Sequence, residues 1–190
     1  MGPYSARYFS VGITFFVISL LLCGSPITTR AADKPEMRIV VHPVAGSFDV
    51  HADFPIAVSP AQAFAVMTDY DRMANFIPQI SKSQVLWRAG ERESVLQEGS
   101  INLLWFSIPV YVVMSVHLIS DQAVRFRSTG GSMVIHGEAQ VHPITGGTVV
   151  DYQAILKPKM PVPTSLAESL VTGYIRNEME ALRSEMLRTK

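Results

Sequence analysis

Polar and apolar residues alternate along most of the chain after residue 37, which predicts strands with one buried face. Residues 37–58 form a β-rich stretch that is broken near Ala45 and Gly46. Residues 81–158 hold about six further strand-like segments. Turn signals separate several of these segments, at Ala89-Gly90, Gly130-Gly131 and Gly146-Gly147. The chain is therefore expected to be dominated by sheet.

Residues 59–80 show helical signals instead of alternation. Ser59 is a good N-cap with Gln62 three residues further on, and the pattern predicts a pair of short helices. Asp69 or Asp71 would cap the second of them. Two nearby carboxylates could also serve in acid–base chemistry, but helix capping is the simpler role.

The last segment, residues 163–190, predicts one long helix that begins at Thr164 or Ser165. Gly173 lies inside it and costs about 1 kcal/mol relative to alanine, which close approach to a neighbouring element would explain. Strands grouped together and a long helix standing apart indicate an α+β fold, with a strongly curved antiparallel sheet wrapped around the helix. One face of the helix is expected to point inward, with Leu166, Leu170, Tyr174, Leu182 and Met186.

Residues 99–120 contain no charged residue and are long enough to cross a membrane as a helix. However, Pro109 lies mid-run, and Asn102, Ser115 and His117 would need hydrogen-bond partners inside lipid. The residues after Pro109 are mostly β-formers that alternate. The prediction is a strand whose dry inner face carries Val110, Val112, Met114, Val116 and Leu118.

The neighbouring strands show the same division into two faces. Their inward residues are apolar or small, and the outward ones are mainly polar. Taken alone, this pattern favours an ordinary packed core over a cavity. The predicted inward residues are Val124, Phe126, Ser128, Met133, Ile135, Gly137, Ala139, Val141, Val150, Tyr152, Ala154 and Leu156.

The N terminus has the pattern of a secretory signal. Arg7 precedes an apolar run over residues 11–22, and Thr29 and Ala31 are the small residues that a signal peptidase requires. We therefore expect a signal peptide over residues 1–31 and one domain over residues 32–190. The expected location is outside the cytoplasm, in the periplasm; an uncleaved N-terminal anchor is the alternative.

Composition excludes several classes of function. Cleavage would remove Arg7, Arg30 and the only cysteine, so the 16 basic residues fall to 14 against 16 acidic ones, a net charge of −2. That net charge gives no excess of basic residues with which to bind nucleic acid. Without cysteine and without a ligand spacing among the five histidines, neither a metal site nor a cofactor is expected. Arg88 and Glu98 would form either a polar spot near one end of a cavity or a surface ion pair.

Four large apolar residues fall at an expected turn between two strands: Leu103, Leu104, Trp105 and Phe106. Such residues are unusual on a solvated surface, and tryptophan suits a membrane interface. They would either form a cavity mouth that makes transient membrane contact or fold inward and complete the core.

Three segments resemble the START-like (helix-grip) superfamily, in its polyketide cyclase/dehydrase and coenzyme Q-binding branch. Residues 59–86 resemble the helix pair and following strand, with Asp-Tyr and Phe-x-Pro elements. Residues 130–163 resemble the late strands, with Gly-Gly-Thr before the last strand and a proline-rich turn. Residues 166–186 resemble the helix that the sheet grips.

The resemblance implies an elongated apolar cavity between sheet and helix, in a family whose members bind lipids, quinones, sterols or polyketides. Coenzyme Q-binding and ribosome-associated members work inside mitochondria or bacterial cytoplasm, whereas this chain is expected to be exported. The expected cavity residues are Val112, Met114, Val116, Phe126, Met133, Ile135, Tyr152, Leu170, Gly173 and Tyr174.

The favoured function is an exported carrier of a hydrophobic small molecule or lipid of quinone, polyketide or fatty-acyl type. The first alternative is a cyclase or dehydrase-like enzyme acting on a bound polyketide. The scarcity of ionisable residues on the inward faces counts against it, and a buried acid or base in the cavity would favour it. The second alternative is an interaction module with a filled core.

Overall fold

The computed structural model describes residues 36–103, 106–160 and 164–189, which belong to one compact unit, Asp33–Lys190. A short 3-10 helix, Tyr70–Asn75, accompanies two α-helices and eight strands. In chain order the other elements are β1 Arg38–Val44, β2 Ser47–Ile56, α1 Pro60–Met67, β3 Ile80–Ala89, β4 Arg92–Leu103, β5 Phe106–Ser120, β6 Ala123–Gly131, β7 Met133–Ile144, β8 Gly147–Pro158 and α2 Thr164–Arg188.

The eight strands form one antiparallel sheet in the order β1-β2-β8-β7-β6-β5-β4-β3. After β2 the chain passes through α1 and the 3-10 helix to the far edge of the sheet, and then returns strand by strand to β8 beside β2. The long helix α2 packs against β1, β2 and α1. This is the predicted α+β helix-grip fold, with a curved sheet around the C-terminal helix.

The first strand of the prediction is in fact two strands. Ala45 and Gly46 form the turn between β1 and β2, with φ values of 45° and 79°. These left-handed values reverse the chain, so Arg38 pairs with Asp53 and Val44 with Ser47. The two short helices therefore follow the second strand.

The described part of the uncharged segment is sheet, as predicted, and it lies in β4 and β5. Strand β5 pairs with β4 along its length and with β6 over its second half. Met114 and Val116 are buried while Tyr111 on the opposite face is exposed, which follows the predicted alternation. In the three described ranges, no helix is long and apolar enough to cross a membrane.

The start of α1 is capped as predicted. The Ser59 side chain accepts the Gln62 backbone N–H at 3.2 Å. The Gln62 side chain does not close a capping box; its Nε2 donates to the Met186 carbonyl at 2.8 Å and so ties α1 to the end of α2. The capping prediction for Asp69 and Asp71 is wrong, because the 3-10 helix has no side-chain cap.

Both aspartates have other partners. Asp71 accepts the backbone N–H of Val85 in β3 at 2.8 Å. Asp69 lies 3.4 Å from Arg72, which also contacts the buried Glu185 of α2 at 2.9 Å. These contacts fasten the 3-10 helix to the sheet edge and to α2.

Gly173 does not mark a close approach. A Cβ built on it would meet no atom within 4 Å, so the steric explanation for this glycine is wrong. We expect Gly173→Ala to raise the free energy of unfolding by up to about 1 kcal/mol, since alanine restricts the unfolded chain and favours helix. Urea unfolding measures this, and a loss of stability would contradict it.

Gly137→Ala is the matched control for that substitution. Its Cβ would overlap the Gln153 carbonyl oxygen in the paired strand β8. Because a backbone atom must move, this second change is expected to destabilise the protein by about 1–3 kcal/mol.

Candidate functional site

An apolar cavity lies between α2 and the sheet. Its outer chamber has a volume of about 130 Å³ and is lined from β2, β3, β4, β5, β7, β8 and α2. An inner chamber of about 80 Å³ reaches α1 and the 3-10 helix. Both chambers are bounded by the same five residues, which therefore stand between them: Gln97, Met114, Ile135, Tyr152 and Glu178.

Most of the predicted cavity residues lie in the walls of these chambers. Phe126 lines the inner chamber. Val116 lines neither chamber because it is fully buried in the core, and Gly173 also lines neither. Contact of the others with a ligand stays a prediction. The outer chamber is lined by Val112, Met114, Met133, Ile135, Tyr152, Leu170 and Tyr174.

The predicted mouth falls largely outside the described residues. Leu104 and Trp105 are not described, and Leu103 pairs with Phe106 at the tip of the β4–β5 hairpin. A role for these four residues at an entrance stays a prediction.

The outer chamber reaches the protein surface at a different set of described residues. Its wall includes Tyr111 and Met160, whose side chains are 52% and 39% exposed. Ser132 lies beside them and holds two strands together: its hydroxyl donates to the Tyr111 carbonyl at 3.1 Å and accepts the Tyr111 N–H at 3.0 Å.

Glu178 is the most unusual group in the cavity. It projects from α2 into the wall that the chambers share. Burial raises the pKa of its carboxyl from the usual 4.5 to about 7, because surrounding apolar atoms penalise the charged form. Within the described part of the chain, no salt bridge or side-chain hydrogen bond satisfies this carboxyl.

Besides the exposed Tyr111, three tyrosines line the chambers among the described residues: Tyr70 and Tyr152 the inner one, and Tyr152 and Tyr174 the outer one. Burial raises the pKa of each hydroxyl, and the nearby Glu178 raises the pKa of Tyr152 and Tyr174 further. All three hydroxyls therefore stay protonated at ordinary pH and can donate hydrogen bonds. The Tyr152 ring stacks on Phe126, with centroids 5.7 Å apart and planes at 18°.

Gln97 of β4 supplies an amide to the same shared wall. Its Nε2 donates to Met73 Sδ at 3.2 Å and to Ser83 Oγ at 3.5 Å. Two elements thus hold the side chain in place, the 3-10 helix and β3. The shared wall therefore combines one fixed amide, one buried carboxyl and one tyrosine hydroxyl.

The sequence did contain a signal for Glu178. Leu170, Tyr174, Leu182 and Met186 were assigned to the inward face at a spacing of four, and Glu178 fills the gap in that series. When the inward face of the helix is assigned from apolar residues alone, a polar residue at an inward position is not recognised.

The predicted pairing of Arg88 with Glu98 is wrong. Arg88 Nε donates to Glu93 Oε1 at 2.7 Å, and Glu98 instead lies 3.6 Å from Lys82. Strand pairing is the reason, because Arg88 is opposite Glu93 and Lys82 is opposite Glu98. Glu98 does line the outer chamber, with its carboxylate half exposed.

Comparison with known proteins agrees with this geometry. A family model described as polyketide cyclase / dehydrase and lipid transport matches residues 47–186. A search of curated proteins finds no match. Among solved structures, the STAR-related lipid transfer protein fragment from Xanthomonas axonopodis matches with a TM-score of 0.65 and 16% identity, over 81% of this chain and 99% of that one.

Two further structures extend the comparison. A START superfamily protein from Mycobacterium smegmatis matches with a TM-score of 0.65 and 13% identity, over 75% of this chain and 99% of that one. The Zhui aromatase/cyclase from a Streptomyces species matches with a TM-score of 0.61 and 13% identity, over 80% and 95%. At identities this low, these matches establish the START-like fold alone.

Proposed function

The chain belongs to the polyketide cyclase/dehydrase and lipid transport family, and on that premise we propose that it carries a hydrophobic small molecule or lipid in its two chambers. The observation that carries the proposal is the apolar cavity between sheet and α2. Burial of apolar ligand surface would supply most of the affinity, at about 25 cal/mol for each Å². Ligands of quinone, polyketide or fatty-acyl type have the required apolar surface, and the lipid transfer name of the Xanthomonas relative supports a lipid.

Export to the periplasm is part of the proposal. It is supported by the charge, apolar run and small residues of residues 1–31. N-terminal sequencing of protein recovered from the periplasm should find Ala32 as the first residue. An unprocessed N terminus in the membrane fraction would favour the anchor alternative.

The direct test of carriage is to purify the exported protein without detergent and analyse its organic extract by mass spectrometry. A stoichiometric lipid, quinone or polyketide would support the proposal and identify the ligand. A clean extract from folded protein, together with no uptake of any of these compounds when they are added back, would refute it.

Filling the cavity should abolish carriage. Ile135 bounds both chambers, so Ile135→Trp places a large ring in the ligand space. We expect the variant to lose most of its extracted ligand. Val134→Trp is the matched control, because the neighbouring residue of β7 faces the other way and is 38% exposed. Equal ligand content in both variants would contradict the placement of the ligand.

A second candidate function is a cyclase or dehydrase-like reaction on the bound compound, and Glu178 favours it. A carboxyl whose pKa is about 7 can accept or donate a proton at neutral pH, which is the requirement for acid–base chemistry. Incubating the parent and Glu178→Gln with the extracted compound would test this. Conversion by the parent alone would support an enzyme, and an unchanged compound with both would favour a carrier.

A further inference from the structure

We propose that Glu178 recognises the polar end of the ligand, and that this end is a cationic amine rather than an acid. The inference rests on the proposed function, since it needs a ligand in the chambers. On this proposal a single carboxyl selects the charge of the ligand's polar end, which the apolar walls cannot do.

The charges of the lining are one-sided. No lysine, arginine or histidine is found among the described residues that line either chamber. Two acidic residues, Glu98 and Glu178, do line the cavity. A ligand with a buried carboxylate would therefore find no cation and would face the carboxyl of Glu178. Burying such an unpaired charge is unfavourable, and a like charge nearby adds to the cost.

Glu178 is placed to meet a ligand from either chamber. It lies in their shared wall, and among the described residues its carboxyl has no charged partner. Glu98, by contrast, lies 3.6 Å from Lys82 and is 45% exposed. An ammonium group entering the cavity would thus find a partly buried acid that has no charged partner among the described residues. Such charge-assisted hydrogen bonds are stronger than neutral ones.

The surroundings of Glu178 suit a cation as well. Tyr152, backed by its stacking on Phe126, and Tyr174 share the wall with it, and aromatic faces attract ammonium groups. Their hydroxyls already provide neutral hydrogen-bond donors for a carbonyl or an alcohol. What the glutamate adds when it is ionised is a negative charge, which a cationic ligand group would complement.

The test compares three amphiphiles that share one chain length: n-octylamine, 1-octanol and n-octanoate, each titrated calorimetrically into ligand-free protein at pH 7.5. Octanol reports on the cavity alone. We expect the amine to bind more tightly than octanol and the octanoate to bind most weakly. Glu178→Gln should weaken amine binding about tenfold, the usual size of a charge-assisted hydrogen bond, and leave octanol unchanged.

Glu180→Gln is the matched control, because Glu180 lies on the same helix but is exposed and lines neither chamber, and it should leave all three affinities unchanged. Lowering the pH from 8 to 5 should weaken amine binding to the parent, because Glu178 becomes protonated while the amine stays charged. Of the other titratable described residues that line the chambers, Tyr70 of the 3-10 helix, Tyr152 of β8 and Tyr174 of α2 remain protonated throughout. Glu98 of β4 and Tyr111 of β5 also line the outer chamber.

The outcomes separate this inference from the proposed function. Octanol binding without any preference for the amine would overturn the inference and leave the carrier function standing. An amine preference that survives Glu178→Gln would overturn it equally. If none of the three compounds binds to folded protein, both the cavity as a ligand site and the role of Glu178 are refuted.

Discussion

Glu178→Gln is expected to raise the free energy of unfolding of the ligand-free protein by about 3 kcal/mol at pH 8 and to leave it nearly unchanged at pH 4. The carboxyl has a pKa of about 7 in the folded protein and the usual 4.5 when unfolded. Each pKa unit corresponds to about 1.4 kcal/mol. The folded state therefore holds the proton more tightly, and ionisation of Glu178 opposes folding.

The direction with pH follows from that difference. Below pH 4.5 the group is protonated in both states and has no effect. Between pH 4.5 and 7 the penalty grows, and above pH 7 it is complete, so the parent loses stability from this group as the pH rises. Glutamine cannot ionise and avoids the penalty.

Urea unfolding at pH 4, 6 and 8 measures the effect. Glu180→Gln is the matched control, since Glu180 lies on the same helix but is exposed, and it should follow the pH profile of the parent. A Glu178→Gln protein no more stable than the parent at pH 8 would show that the carboxyl is hydrated in the cavity. A ligand amine bound at Glu178 would reduce the difference, because it stabilises the ionised form.

The sequence predicted the fold well because alternation has a direct physical meaning. A period of two puts every second residue on the core face, and β5 shows the result with Met114 and Val116 buried and Tyr111 exposed. The first two strands were read as one broken stretch, since Ala45 and Gly46 mark a turn only once their left-handed backbone is seen.

The site was less predictable, because a wall is made by residues from distant strands and one helix. Parity correctly pointed Ile135 and Tyr152 inward, but it did not distinguish a cavity residue from a packed one such as Val116. The explanation of Gly173 by close packing was wrong because a glycine can occur in a helix for several reasons, and the sequence does not give the distance to the neighbouring elements. Glu178 was not assigned to the inward face because it is polar, although its position in the helix places it there.

Phe54→Ala is expected to cost about 3–5 kcal/mol of stability, the usual range for emptying a buried phenylalanine site. Phe54 lies in β2 opposite Val150 and is 0% exposed. Removing its ring would therefore leave a cavity that is closed to solvent. Domains of this kind are typically stable by about 5–15 kcal/mol, so the loss is a large fraction of the total. Urea unfolding at pH 6 measures it, and Val44→Ala, at a site 53% exposed, is the control that should change little.

Phe54 lines neither chamber, so the folded fraction of Phe54→Ala should keep the ligand content of the parent. Ile135→Trp should do the reverse, losing ligand while keeping most of its stability. Opposite responses in these two variants would separate the core that supports the sheet from the cavity that holds the ligand. A loss of ligand in folded Phe54→Ala would instead mean that the cavity is shaped by the packing of β2 behind it.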